Sequence, residues 1–260
     1  MKSSMFVAFA IAAGLIAGTA AADTLTVGVY PTNPPWEFKN EQSEFEGFEV
    51  DMVTEIAERL GLELDLTDMG FQAIFAATSS GRIDLAISTI TITDERLENQ
   101  AFTQGYYDAD MALVSTEDGA QSLDDMRDQP VGVLASSVAE GWVNDNMDTY
   151  GFSDLRTYND QQGLLLDVNA GRIAGAIGDV TGFIFATKDM PSMSIAEVIP
   201  TGDRYGMMLP QGSELLEPIN DAISEMKRDG TMAEIYERWL GETPDEDSST
   251  VTVLDIPTLE

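Results

Sequence analysis

The chain of 260 residues contains no cysteine and no histidine. The first absence excludes disulfides, zinc-thiolate sites, thiol nucleophiles and a lipid-bearing cysteine anchor. The second excludes serine–histidine hydrolysis, histidine-ligated metals and the commonest general base. Cations are scarce as well: 13 lysines and arginines stand against 46 acids, a formal net charge of −33. A surface of that sign repels nucleic acid and anionic lipid, so neither is expected as a partner. The same acid excess suits high salt, where screening weakens self-repulsion. No cofactor or metal is expected.

Only one long apolar run is present, and it lies at the amino terminus. Lys2 precedes an apolar stretch over residues 5–16, interrupted by Gly14, and small residues fill 18–22 before Asp23. This reads as a secretory signal peptide, residues 1–22, cleaved after Ala22. The run is shorter than the ~20 residues of a membrane span. An exported protein is expected, most simply in the periplasm of a Gram-negative bacterium. The remainder is long enough for two modest domains.

Strand-like apolar runs alternate with helical periodicity, which predicts an α/β architecture. Strands are expected at 25–29, 62–66 and 83–87, with helices at 50–60 and 71–78. The pattern restarts with strands at 131–134, 155–158 and 173–177 and helices at 138–147 and 162–168. Two helices, 213–228 and 231–240, follow "YGMML". The stretch 242–260 is acidic and carries Pro244 and Pro257, which predicts a loosely attached tail.

Within this pattern "QAIFAATSSGRIDLAIS", residues 72–88, resembles "QGLLLDVNAGRIAGAIG", residues 162–178, at a constant offset of 90. Such a period suits two lobes of similar build. Thr89 and Asp179 occupy equivalent places just past a strand's carboxyl end, the edge where open parallel sheets bind ligands. One of the few cations, Arg96, closes "STITITDER" a few residues on. An arginine fork grips a carboxylate through two parallel hydrogen bonds, and an aspartate accepts from an ammonium. A ligand that needs both groups close together is a free α-amino acid. Thr89, Thr91 and the amides near Ser137 and Val138, at a strand-to-helix turn, would complete the two shells. Simpler roles stand beside these: Asp179 and Ser137 as helix caps, Arg96 as a solvated helix residue, and Trp36 in "TNPPWEF" as core.

"PPWEF", "FEGFEVDM", "GRIDLAISTITITDER", "AFTQGYY", "VGVLASS", "IGD" and "DGTMAEIYERWLG" together resemble the periplasmic solute-binding proteins for polar amino acids, the receptors of ABC importers. The resemblance covers the chain after the signal peptide to about Gly241. It implies the two-lobed type II periplasmic binding protein fold, an α/β fold whose lobes are joined by two hinge strands. The outward crossing is expected near 111–115 and the return near 200–206. Lobe 1 would hold residues 23–112 and 204–241, lobe 2 residues 113–203, and 242–260 the acidic tail. By resemblance Arg96 grips the ligand carboxylate and Asp179 its ammonium. Tyr30, Asn33, Phe71, Thr89, Thr91, Ser137 and Val138 line the pocket. Many relatives have an acid where Tyr30 stands and an aromatic where Asn33 stands.

The reading that results is a monomeric binding protein, not an enzyme. It captures a free amino acid, with a neutral one favoured, and presents it to the membrane permease of an ABC importer. The alternative is a secreted dehydratase of similar fold that acts on a cyclic precursor of phenylalanine. A sensor module of a larger receptor is a third reading.

Overall fold

A computed structural model of the protein describes residues 23–259, so the expected signal peptide lies outside the described residues. The chain starts with β1 (Thr24–Val29), then three short strands, β2 (Thr32–Asn33), β3 (Glu37–Lys39) and β4 (Phe45–Glu46). Helix α1 (Phe48–Leu60), β5 (Glu63–Asp68), α2 (Phe71–Ser79), β6 (Leu85–Ala86), α3 (Asp94–Leu97) and β7 (Gln100–Phe102) follow. A long strand, β8 (Tyr107–Thr116), leads to β9 (Pro130–Leu134), α4 (Val138–Tyr150), β10 (Asp154–Tyr158), α5 (Gln161–Asn169), β11 (Gly175–Asp179) and α6 (Val180–Thr187). The chain returns along β12 (Met193–Tyr205) to β13 (Met208–Pro210), α7 (Leu216–Asp229) and α8 (Thr231–Leu240).

Two five-stranded sheets form, in the orders β5-β1-β6-β13-β7 and β10-β9-β11-β8-β12. Each has a parallel core of three strands and is closed by antiparallel strands on one side. The 90-residue similarity is visible in this geometry. Helix α2 and helix α5 are both nine residues long and begin at Phe71 and Gln161. Each is followed by a glycine in the left-handed region, Gly81 and Gly171, where other residues are strained. The isoleucine after each then packs on a glycine of the central strand. A Cβ on Gly28 would meet Ile83 at 2.5 Å, and one on Gly132 would meet Ile173 at 2.5 Å. The repeated Gly-Arg-Ile thus sets the same helix-to-sheet distance in both lobes.

The strand expected at 83–87 keeps only Leu85 and Ala86 in the ladder. Ser88 ends it, because its Oγ, not a backbone carbonyl, accepts the Tyr30 amide at 2.8 Å. Helix α1 starts at Phe48, two residues earlier than its apolar period suggests, behind Gly47.

Strands β8 and β12 pair antiparallel from Tyr107 and Tyr205 to Thr116 and Met193 and run through both lobes. The pairing slips between Ile199 and Asp203. Ala109 packs into the core of the first lobe and Met111 into that of the second, so the outward strand changes cores at Asp110. On the way back Ile199 belongs to the second core and Tyr205 to the first.

The acidic tail departs from expectation. Ser249 and Thr250 are buried, the Ser249 amide donates to Asp108 Oδ2 at 2.8 Å, and the Leu254 amide donates to Gln104 Oε1 at 2.9 Å. What holds it is Lys227 of α7, whose buried ammonium donates to Gln104 Oε1, Gly105 O and Thr252 O at 2.9, 2.7 and 3.0 Å. Composition describes the tail's own charge but not the donor waiting for its carbonyl. Burial pulls the Lys227 ammonium down to about 7. An unfolded lysine titrates near 10.4, so between these values the unfolded chain binds more protons and this group's contribution to stability rises with pH. In Lys227→Met that rise is expected to vanish. Urea unfolding at pH 6 and pH 9 should therefore show a smaller alkaline gain than in wild type, and amides of residues 249–254 should exchange hydrogen faster.

Candidate functional site

The two sheets turn the carboxyl ends of their parallel strands toward one cleft. On the first lobe, β1 runs into Tyr30, β2 carries Asn33, α2 opens with Phe71, and β6 leads to Thr89 and Thr91, with Arg96 on α3. On the second lobe, β9 leads to Ser137 and Val138, and β11 ends on Asp179. These nine residues all line a single cavity. Their nearness follows from the topology, since each sits just past a strand end or on the turn beyond it.

Arg96 stands on a single helical turn capped by Thr93, whose Oγ1 accepts the Arg96 amide at 3.3 Å. Its Nη1 donates to Thr91 O at 2.7 Å, and its Nη2 reaches Ser136 O of the second lobe at 3.1 Å. The guanidinium carbon lies 4.9 Å from the centroid of the Phe75 ring. Burial lowers its pKa to about 10, which leaves it charged near neutrality. Among the ion pairs of the described residues, none involves Arg96. A guanidinium has five N–H donors, so most of its capacity is uncommitted.

Asp179 takes the helix-cap role considered for it and also lines the cavity. It caps α6, with Oδ2 accepting the Gly182 amide at 2.6 Å. The same oxygen accepts the Trp36 indole N–H at 2.8 Å, and Oδ1 accepts the Tyr205 hydroxyl at 2.8 Å. Burial pushes the carboxyl above its ordinary value, and these hydrogen bonds work against that. An ionised carboxylate has about four acceptor directions, and the Thr181 amide stands near as a fourth donor.

Ser137 occupies the cap position of α4 without capping it. Its hydroxyl donates backward to Leu134 O at 2.7 Å, and no side chain bonds to the helix start. Ser137, Val138 and Ala139 therefore bring an uncapped helix start to the cavity wall, the partially positive end of its dipole. Thr89 in the wall and Ser136 just before it have left-handed backbones, with φ 47° and 65°. Such conformations cost about 1–3 kcal/mol each and persist where neighbours hold them. The Thr89 amide donates to Glu49 Oε1 at 2.8 Å, and the Ser136 amide donates to Glu140 Oε2 at 2.7 Å.

Sequence reasoning missed several residues here. Trp36 is fully buried, as a core residue should be, with edge-on contacts to Phe48, Tyr107 and Tyr205. Its N–H nevertheless reaches the other lobe. A buried indole must find an acceptor, which was the available signal. Tyr205, Gln161, Asp110 and Asp203 also line the cavity, and Tyr30 Oη accepts the Gln161 amide across the cleft at 3.0 Å. Among the described residues, no cluster of three or more acids is arranged to hold a metal. No helix there is long and apolar enough to cross a membrane. Chemically, the cleft sets a cation with spare donors against a hydrogen-bonded carboxylate, between apolar walls.

The profile of the bacterial extracellular solute-binding proteins, family 3, matches residues 25–242. The L-cystine-binding protein of Escherichia coli strain K12 is 33% identical over 227 residues, 84% of this chain and 83% of the relative. An ancestral arginine-binding protein bound to arginine superposes with a TM-score of 0.80 at 34% identity, covering 85% of this chain and 100% of that one. A structure described as an ancestral arginine-binding protein bound to glutamine gives 0.79 at 34% identity, with 84% and 98% covered. Sequence, topology and the placing of the cleft agree, and the chain belongs to the bacterial extracellular solute-binding proteins of family 3.

Proposed function

We propose that the protein captures a free α-amino acid between its lobes, in the periplasm, and hands it unchanged to the permease of an ABC importer. The observation that carries this reading is the half-buried Arg96, which has no acid partner among the described ion pairs, in the same cavity as Asp179. Arg96, Thr91 and the start of α4 receive the ligand carboxylate. Asp179 and Thr89 receive the ammonium. Tyr30, Asn33, Phe71, Ser137 and Val138 complete the wall. The protein acts as a monomer, and residues 113–203 move as one body against 23–112 with 204–241. The relatives described above are named for amino acids they bind, which favours capture over the dehydratase alternative.

A neutral ligand fits the wall better than a charged one. Arg96 is the only cation lining the cavity among the described residues, so an acidic side chain would be desolvated without a partner. Asp203 adds its charge at the Arg96 end. The Tyr30 end offers Phe71, Leu134, Gln161 and Leu164, and the acids that act on Tyr30, Asp160 and Glu37, stand outside the lining. Competition calorimetry with glutamine, serine, leucine, phenylalanine, arginine and glutamate tests this. If arginine or glutamate binds at least tenfold tighter than every neutral candidate, the assignment of side-chain class is wrong.

Replacing Arg96 by alanine is expected to give a folded protein that has lost about 2–5 kcal/mol of binding, as when a buried charge pair loses one member. Lysine should restore only part, since it cannot form the bidentate pair. Near wild-type affinity in calorimetry of Arg96→Ala would refute the grip.

Closure makes a separate prediction. Bonds that span the lobes include Trp36 to Asp179, Tyr205 to Asp179, Tyr107 with Thr181, Arg96 to Ser136 and Gln161 to Tyr30. Trp36→Phe keeps an aromatic ring in place and deletes one donor to a carboxylate, a bond of about 1.5–3 kcal/mol. Affinity should weaken by up to that amount, and small-angle scattering should find a larger radius of gyration than wild type at subsaturating ligand. An unchanged radius and affinity would mean that this bond does not help to hold the lobes shut.

A further inference from the structure

Two acids that the ligand reading does not use lie behind the first-lobe wall. Glu37 of β3 and Glu49 of α1 are both 0% exposed. Glu49 Oε1 accepts from the Thr89 amide at 2.8 Å and from the Tyr106 hydroxyl. Both oxygens of Glu37, and Oε2 of Glu49, meet no hydrogen-bond donor among the described residues. The two carboxyl groups face each other, with Asn33 and Ser88 alongside. The titratable groups that face the pair are Tyr30 after β1, Tyr106 before β8, Tyr205 at the end of β12 and Asp179 of the second lobe. None of them is a cation. Two ionised carboxylates in such a place would repel each other and lose their hydration, with donors to only one of the four oxygens in return. A single proton resolves both difficulties, because one carboxyl then donates to the other.

We propose that Glu37 and Glu49 share one proton, and that this buried bond positions the first lobe's ligand wall by way of Glu49 and the Thr89 amide. The proposal rests on the reading of Thr89 and Asn33 as wall residues for an amino acid. Thr89 has a left-handed backbone and needs to be held. Its amide is fixed by Glu49 and its hydroxyl accepts from Asn33 Nδ2 at 3.2 Å. Ser88, beside Glu37, fixes the Tyr30 amide. Loss of the proton would set two negative charges against each other behind all three wall residues.

The direction with pH follows from linkage. Burial, then the Glu49 charge, hold the Glu37 carboxyl well above the usual carboxylate range. A group raised in this way favours the ordered wall at low pH, and the advantage fades as pH rises through its raised value. Glu37→Gln puts a permanent N–H donor where the proton stood, so its wall should not respond to pH.

Carboxyl 13C spectra of ligand-free protein labelled at glutamate are the first test. Wild type should show one protonated carboxyl at pH 7 that is missing in Glu37→Gln, and full ionisation in wild type would overturn the shared proton. The Thr89 amide resonance should shift between pH 6 and pH 9.5 in wild type and stay still in Glu37→Gln. Equal behaviour in both would overturn the positioning role. Calorimetry with glutamine and arginine as probes should then find that wild type weakens over that range by about tenfold more than Glu37→Gln, in proportion to a buried polar group left unsatisfied. The ligand's own ammonium titrates equally in both proteins and cancels, so identical profiles would likewise overturn the role. If wild type binds none of the six amino acids of the competition series, the amino-acid reading has failed, while the carboxyl and amide spectra still decide the proposal.

Discussion

Asp179 accepts hydrogen bonds from three separate parts of the fold, and the seating of one lobe on the other depends on that carboxylate. Gly182 ties it to its own helix, Trp36 comes from the loop between β2 and β3, and Tyr205 comes from the returning hinge strand. Three donors compensate for a buried charge only while they stay in place. The aromatic cluster of Trp36, Phe48, Tyr106, Tyr107 and Tyr205 keeps them there, because edge-on and stacked rings leave each polar tip one direction. Core packing and cleft electrostatics are thus one arrangement seen from two sides.

Charge distribution gives the cleft its polarity. In a chain with a formal charge of −33, a guanidinium without a carboxylate partner is a rare object. Most of the other arginines described are neutralised locally, as Arg59 is by Glu55 and Asp229, and Arg172 by Asp167. Arg96 instead contacts two backbone carbonyls, which satisfy donors without cancelling charge. The surrounding acid draws cations toward the molecule in general, and the anion-seeking spot lies inside, where screening by salt is weaker.

The strands, helices and repeat were legible because each rests on local periodicity, and the Gly-Arg-Ile register even carried the helix-to-sheet spacing. Arg96 and Asp179 were legible because charge is scarce in one case and the repeat marks a strand end in the other. Trp36 was read as core, which its burial bears out, but its bond to Asp179 spans 143 residues of sequence and leaves no local pattern. Tyr205 and Gln161 were lost for the same reason. Glu37 and Glu49 were quoted within motifs, yet nothing in their spacing says that β3 and the first turn of α1 bring them face to face. The tail was misjudged because its anchor, Lys227, lies on a helix whose period alone cannot reveal a buried ammonium. Short-range pattern is written in the chain, whereas polar pairings between distant elements depend on the fold that pattern produces.

The slip in register between Ile199 and Asp203 has a mechanical consequence. Ladder pairs join β8 and β12 on either side of it, with a second irregularity between Ile195 and Glu197, and across it Thr201 replaces the rungs by donating to Asp110 Oδ1 and Ala109 O at 3.0 and 2.9 Å. Two parallel ribbons of backbone resist shear and twist but yield to bending where the rungs are missing, as a leaf flexure does. Such a joint guides rotation about one axis and little else. Asp179 pairs with Met111 at the edge of the slip, so its carboxylate and the Trp36 N–H that meets it lie close to the joint, where a given rotation would displace atoms least.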